Sequence, residues 1–279
     1  MCVVVAFLAV TAVFIFVTKE HKMNYINPPT ESPQNVTHKT FYSQILNHEI
    51  GYNIYLPPEY DSCDKKYPVA YHIHGFMGNE SSEIWSLEKV YRNRQAITVF
   101  VNAISSVNVI SYEDGYIDAL LQIESIIIKE LIPYIDSQYR TNAICGNRML
   151  SGFSLGGNMA FYYAIRHFDV FDSVTPYAGT YHHLYHKENR TVGVAPEKAA
   201  DLYEDMMREK WYLEENNLLY LVRQNADKIR NKLKIKIHIG TADILFCDNE
   251  ILHLYLDSLN IPHEYKKFEG IDHELDKIV

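Results

Sequence analysis

Two hydrophobic periods alternate along this chain, and their order leaves few folds open. Short apolar runs of strand type recur at "VAYHIHG", "AITVFVNAI", "NRMLSGF", "FDSVTPYAG" and "KLKIKIHIG". Stretches of helical period separate them, among them "SSEIWSLEKVYRNRQ", "YIDALLQIESIIIKELIPYIDSQY" and "LGGNMAFYYAIRHF". A helix between two strands returns the chain parallel to where it started and packs on a sheet face. The expected class is therefore α/β, with a mostly parallel central sheet and helices on both faces. Ahead of it, "TFYSQIL" and "EIGYNIYLP" alternate on either side of "NH" and predict a hairpin. After it, "NEILHLYLDSLN" predicts a helix and "PHEYKKFEG" a last strand. Pro133, inside the longest helical stretch, predicts a kink.

The flanks and the insertion read differently. Residues 1–18 hold the uncharged run "CVVVAFLAVTAVFIFV", Cys2 to Val17. It reads as an export signal or an uncleaved membrane anchor, which makes the chain secreted or attached to a membrane through residues 2–17 with an extracellular body. No Lys or Arg precedes the run, whereas Lys19 and Lys22 follow it; the positive-inside tendency then favours a cytoplasmic body, so topology stays open. Residues 19–38, polar and proline-bearing, have linker composition, and 39–279 form the domain. Residues of about 181–232 exceed an ordinary connection and are expected as a lid-like insertion.

Composition excludes some functions. The formal charge is −9 with no basic run, so a nucleic-acid partner is disfavoured. The 22 tyrosines would suit a groove for sugars or phenolics, or would simply be half-buried sheet residues. Cys2, Cys63, Cys145 and Cys247 form no C-x-x-C pair, so no metal knuckle or redox motif is expected, and a disulfide stays open. Two histidine groups raise a metal reading: His72-x-His74, and the cluster His182, His183 and His186. The first lacks a following Asp-His pair and the second a glutamate base. His72 is expected inside the sheet and no catalytic metal is expected.

The chemistry centres on Gly152-Phe153-Ser154-Leu155-Gly156. A G-x-S-x-G pattern alone arises by chance in a chain this long with a probability of roughly 0.1 at ordinary Gly and Ser usage. Its place between a strand and a helix gives it weight, because an exposed nucleophile needs that sharp turn and small neighbours such as Gly152 and Gly156. Ser154 then needs a base, and the base an orienting acid. Asp243 stands just past "KIKIHIG", and His273 follows the last strand. Asp248 and Glu250 read as the cap and first turn of the next helix, His253 as a helix-face residue and His263 as a strand start. The oxyanion hole needs two backbone N–H donors: Leu155 after the nucleophile, and Phe76 after Gly75 in the loop "HGFMG".

"YNIYLPPEYDSCDKKYPVAYHIHGFMG", "SGFSLGGNMAFYYAI", "HIGTAD" and "FEGIDHE" together resemble the esterase family that includes esterase D, feruloyl esterases and the mycolyltransferase antigens. The resemblance covers most of residues 40–279. It implies an α/β-hydrolase fold and carboxylic-ester cleavage with no metal or organic cofactor. It also maps a triad to Ser154, Asp243 and His273, with oxyanion donors at Phe76 and Leu155. The expected substrate is a small-molecule or polysaccharide ester, first of all acyl or feruloyl groups on carbohydrate. Small-thioester hydrolysis of the S-formylglutathione kind, acyl transfer, and a catalytically inactive binding protein are the alternatives. The sequons at Asn35, Asn79 and Asn189 matter only in a glycosylating host.

Overall fold

The computed structural model describes residues 24–103, 116–143, 146–181, 193–209 and 217–279. The apolar leader, Cys2, Cys145, His182, His183, His186 and Asn189 lie outside them. Among the described residues the strands are β1 (Val36–Ser43), β2 (His48–Tyr55), β3 (Val69–Ile73), β4 (Ile97–Val101), β5 (Arg148–Phe153), β6 (Ser173–Tyr177), β7 (Lys234–Gly240) and β8 (His263–Phe268). The helices are α1 (Glu88–Asn93), α2 (Tyr116–Ile126), α3 (Ile132–Gln138), α4 (Leu155–Arg166), α5 (Ala199–Glu209), α6 (Leu218–Ile229), α7 (Phe246–Ser258) and α8 (Leu275–Ile278).

One eight-stranded sheet runs in the order β1-β2-β4-β3-β5-β6-β7-β8. β1, β2 and β4 pair antiparallel, and all pairs from β4 to β8 are parallel. β3 and β4 are buried at every position, as strands covered on both faces must be. Their side chains alternate: Ile97, Val99 and Val101 enter the core shared with α2, α4 and α6, while Phe100 enters the one shared with α1 and α8. Among the described residues nine tyrosines, Tyr71 and Tyr162 among them, are fully buried, so much of the tyrosine content builds these cores.

Three expectations change. Residues 24–38 are part of the domain, not a linker. β1 already begins at Val36, four residues ahead of "TFYSQIL". Upstream of it, the Tyr25 carbonyl accepts from the Gly51 N–H (2.7 Å) and Asn102 Nδ2 (3.1 Å). The Asn27 N–H and Nδ2 donate to the two carboxylate oxygens of Glu80 at 2.5 and 3.1 Å. A carboxylate this deeply buried needs donors, and the strap supplies them.

Next, the stretch 81–95 is helical only over α1. Side chains ahead of it bond the backbone instead: Asn79 N–H to Ser82 Oγ and Ser81 N–H to Asn79 Oδ1, each at 2.9 Å. Such bonds compete with helix. Pro133, where a kink is expected, stands at the start of α3. α2 continues through a wide π turn at Ile127–Leu131 into α3, and this irregular turn falls just ahead of the proline.

Finally, the insertion expected over 181–232 ends before α6. Leu218, Leu219, Val222 and Ile229 are fully buried. α6 is the crossover that parallel β6 and β7 require, so only residues up to 217 go beyond the basic topology. Leu219→Ala is expected to lower unfolding free energy by about 2–5 kcal/mol, the cost of emptying a core site. Denaturant melts measure it; a loss below about 1 kcal/mol would mean that α6 is surface lid.

Candidate active site

The site is built where parallel strands end. β5 stops at Phe153 and α4 starts at Leu155, so Ser154 alone turns the chain, at φ 55° and ψ −118°. A non-glycine residue there costs on the order of 1–3 kcal/mol and persists only if the surroundings hold it. Here they do: the Ser154 N–H donates to the Tyr177 carbonyl at 2.9 Å. Its own carbonyl accepts from the N–H groups of Gly157 (3.0 Å), Asn158 (3.2 Å) and Thr180 (3.2 Å). Two glycines permit the packing. A Cβ on Gly152 would stand 2.1 Å from the Gly156 carbonyl oxygen, and one on Gly156 would stand 2.2 Å from that of Ile73.

The loop after β3 lies against this turn. A Cβ added to Gly75 would be 3.4 Å from Ser154 Cβ, so the backbone that leads into Phe76 passes beside the serine. Leu155 opens α4, whose first-turn N–H groups carry the positive end of the helix dipole. The Gly75 backbone and the start of α4 at Leu155 are thus the two segments that meet at Ser154.

Asp243 and His273 come together from loops after β7 and β8. His273 Nδ1 donates to Asp243 Oδ2 at 2.8 Å, and the Leu245 N–H donates to Asp243 Oδ1 at 2.8 Å. The Asp243 side chain is fully buried, while that of His273 keeps 28% of its surface exposed. In the neutral ring this pairing holds the proton on Nδ1 and leaves the Nε2 lone pair free as a base. Phe153, one residue before the serine, stacks on the imidazole with centroids 4.5 Å apart. Among the described residues no hydrogen bond joins Ser154 to His273, and the stack is what brings the ring to the turn.

The competing residues have other partners. Asp248 Oδ2 accepts the Tyr181 N–H at 2.7 Å, and Glu250 accepts from the Tyr265 hydroxyl at 2.7 Å. His72 and His74 spend all four ring nitrogens inside the fold. His74 Nδ1 donates to the Gly75 carbonyl (2.8 Å), and its Nε2 accepts from the Ala103 N–H (3.1 Å). His72 bonds Ser151 Oγ through Nδ1 (2.9 Å) and Glu83 Oε2 through Nε2 (2.5 Å). Neither offers a metal a lone pair. Cys63 is exposed and Cys247 buried, and both are free thiols.

Glu83 is the residue that sequence reasoning missed. While one carboxylate oxygen meets His72, the other accepts the Gly75 N–H at 2.9 Å, and so fixes the loop beside Ser154. Only its closeness in sequence to Gly75 pointed to it.

A family model described as "Putative esterase" matches residues 43–276. The chain belongs to this family. Its fold is the α/β-hydrolase fold, shared at a TM-score of 0.60 with a ferulic acid esterase of Anaeromyces mucronatus, 20% identical over 94% of this chain and 90% of that one. An S-formylglutathione hydrolase of Staphylococcus aureus superposes at a TM-score of 0.63, 16% identical over 89% of this chain and 93% of that one. Among curated sequences, a xylanase/feruloyl esterase of Xylanibacter ruminicola is 31% identical over 136 residues, 44% of this chain and 18% of its own length. The chain spans a third or less of the curated relatives it matches.

Two outcomes are expected. Glu83→Ala should lower kcat on p-nitrophenyl acetate by about tenfold or more at little-changed KM, short of the 10²–10³ that a lost oxyanion donor costs. Glu83→Gln, which keeps an acceptor for the Gly75 N–H, should retain more of the rate. Burial holds the pKa of His74 below its ordinary value. The unfolded chain then takes up a proton that folded His74 refuses. Stability should be full above pH of about 6.5 and fall below it, as thermal melts from pH 8 to pH 5 would show.

Proposed function

We propose that this protein is a serine carboxylic-ester hydrolase that works through an acyl-enzyme on Ser154. The observation that carries the reading is the 2.8 Å hydrogen bond from His273 to buried Asp243, with the imidazole stacked on the residue that precedes the serine. His273 Nε2 takes the hydroxyl proton as Ser154 Oγ attacks the ester carbonyl. Asp243 keeps the ring oriented and stabilises its cation. The N–H groups of Phe76 and Leu155 receive the charge that develops on the carbonyl oxygen. The imidazolium returns the proton to the leaving alcohol. Water then attacks the acyl-enzyme by the same route, releasing the acid and restoring the serine.

The substrate proposed is an acyl or feruloyl ester of a carbohydrate. Its support is the likeness to feruloyl esterases, one of them in complex with ferulic acid, and the leader at residues 2–17, which we read as exporting or anchoring the chain. The likeness to an S-formylglutathione hydrolase favours a second reading, hydrolysis of a small thioester.

Fluorophosphonate labelling with the adduct mapped by mass spectrometry tests the mechanism. The adduct is expected on Ser154, and Ser154→Ala should lose it together with roughly 10⁴-fold or more in kcat. Folded protein that takes no label would leave a binding protein on a hydrolase fold. Methyl ferulate and acetylated xylan set against S-formylglutathione decide the substrate: turnover of the thioester alone would overturn the carbohydrate reading.

A further inference from the structure

At the far end of the sheet from Ser154, three side chains converge from two elements. His253 and Asp257 lie one turn apart near the C-terminus of α7, and His263 opens β8. His253 Nδ1 and His263 Nε2 are 2.7 Å apart. Asp257 Oδ1 lies 3.9 Å from His263 Nε2, and Oδ2 lies 3.6 Å from His253 Nε2. The His263 side chain is nearly fully buried, whereas that of Asp257 faces solvent.

The hydrogen bonds say which atoms have lone pairs to give. His263 Nδ1 lies 2.8 Å from the Ile261 carbonyl, which can only accept, so Nδ1 carries the proton and Nε2 a lone pair directed at His253. A backbone carbonyl fixing the tautomer of an imidazole in this way is the outer-shell arrangement that metal-ligating histidines use. Tyr265 stacks on the His253 ring, centroids 4.4 Å apart, and fixes its plane. The end of a helix also carries negative partial charge, which favours a cation there.

We propose that His253 Nδ1, His263 Nε2 and Asp257 Oδ1 bind one transition-metal dication of the Zn²⁺ class, with water completing a tetrahedron. Two imidazoles and a carboxylate are a borderline donor set of the type that zinc accepts. The metal takes the place of the proton that His253 Nδ1 now donates to His263 Nε2, and that proton passes through solvent to Nε2 of the same ring. Metal–nitrogen bonds of about 2.0–2.1 Å require the two nitrogens to open to about 3.3 Å, an adjustment of roughly half an ångström. His253 then carries its proton on Nε2, facing Asp257 Oδ2. The bound ion is a staple, not a reagent. It joins α7 to β8, and the loops at the opposite ends of those two elements hold Asp243 and His273.

The test uses the full chain, stripped with EDTA and titrated with Zn²⁺ by calorimetry and with Co²⁺ by visible absorption. One equivalent is expected to bind and to raise the melting temperature. Asp257→Asn changes an exposed position and leaves folding intact; it should weaken binding by about tenfold or more. His253→Gln should remove the Co²⁺ band, while His273→Ala should bind as the wild type does. The proposal is overturned if the stripped chain takes up no metal, or if Asp257→Asn and His253→Gln bind as tightly as the wild type. Loss of uptake in His273→Ala would overturn it equally, by placing the ion at the catalytic end.

Discussion

One residue carries the chain from the middle strand of the sheet into the helix behind it, and the rest of the site is arranged around that turn. Ser154 occupies a left-handed backbone position that a side chain of its kind rarely adopts. It stays there because its N–H and carbonyl make four backbone hydrogen bonds, and because two glycines let α4 press against β5 and the end of β3. Enlarging either glycine would drive a carbon into a carbonyl oxygen, with backbone, not a flexible side chain, in the way. Local strain, helix position and the closeness of the Gly75 loop are therefore aspects of one packing problem.

Around this turn, carboxylates act as anchors for backbone. Glu83 holds the N–H of Gly75, Glu80 that of Asn27, Asp243 that of Leu245, and Asp248 that of Tyr181. Each ties down a segment next to the strand ends. The strand ends are where loops, free of ladder bonds, would otherwise be least constrained. Charge-assisted bonds of this type are roughly twice as strong as neutral ones, and a buried carboxylate that lost its donor would be costly. This suits parts that must be held to within a fraction of an ångström.

Most of the fold was legible because it rests on period. β3, β4, β5 and β7 are apolar runs bounded by glycine or by polar turns, and α4 and α7 show helical spacing. Among the candidate residues, Asp243 and His273 stood out by lying just past strands, where side chains from distant parts of the chain meet. What could not be read shares a cause. The strap at residues 24–27 depends on a carboxylate distant in sequence, whereas the irregular segment before α1 and Glu83 depend on side chains bonding nearby backbone, and no period records either. α6 looked like insertion because it is separated from β6 by a long, polar approach, and only its burial shows that it is the crossover.

The stacking of Phe153 on His273 has a consequence for how the imidazole can move. A face-to-face contact resists tilting the ring out of its plane, yet opposes rotation within that plane only weakly. The bond from Nδ1 to Asp243 then serves as an axle, fixed at one edge while the opposite edge swings. In the two-step acyl transfer that we propose, that edge would face the serine oxygen first, then the departing alcohol, and later the incoming water. Aromatic contact on one face and a single charged bond at one corner supply a bearing for that swing, with the direction of travel set by the ring and not by the substrate.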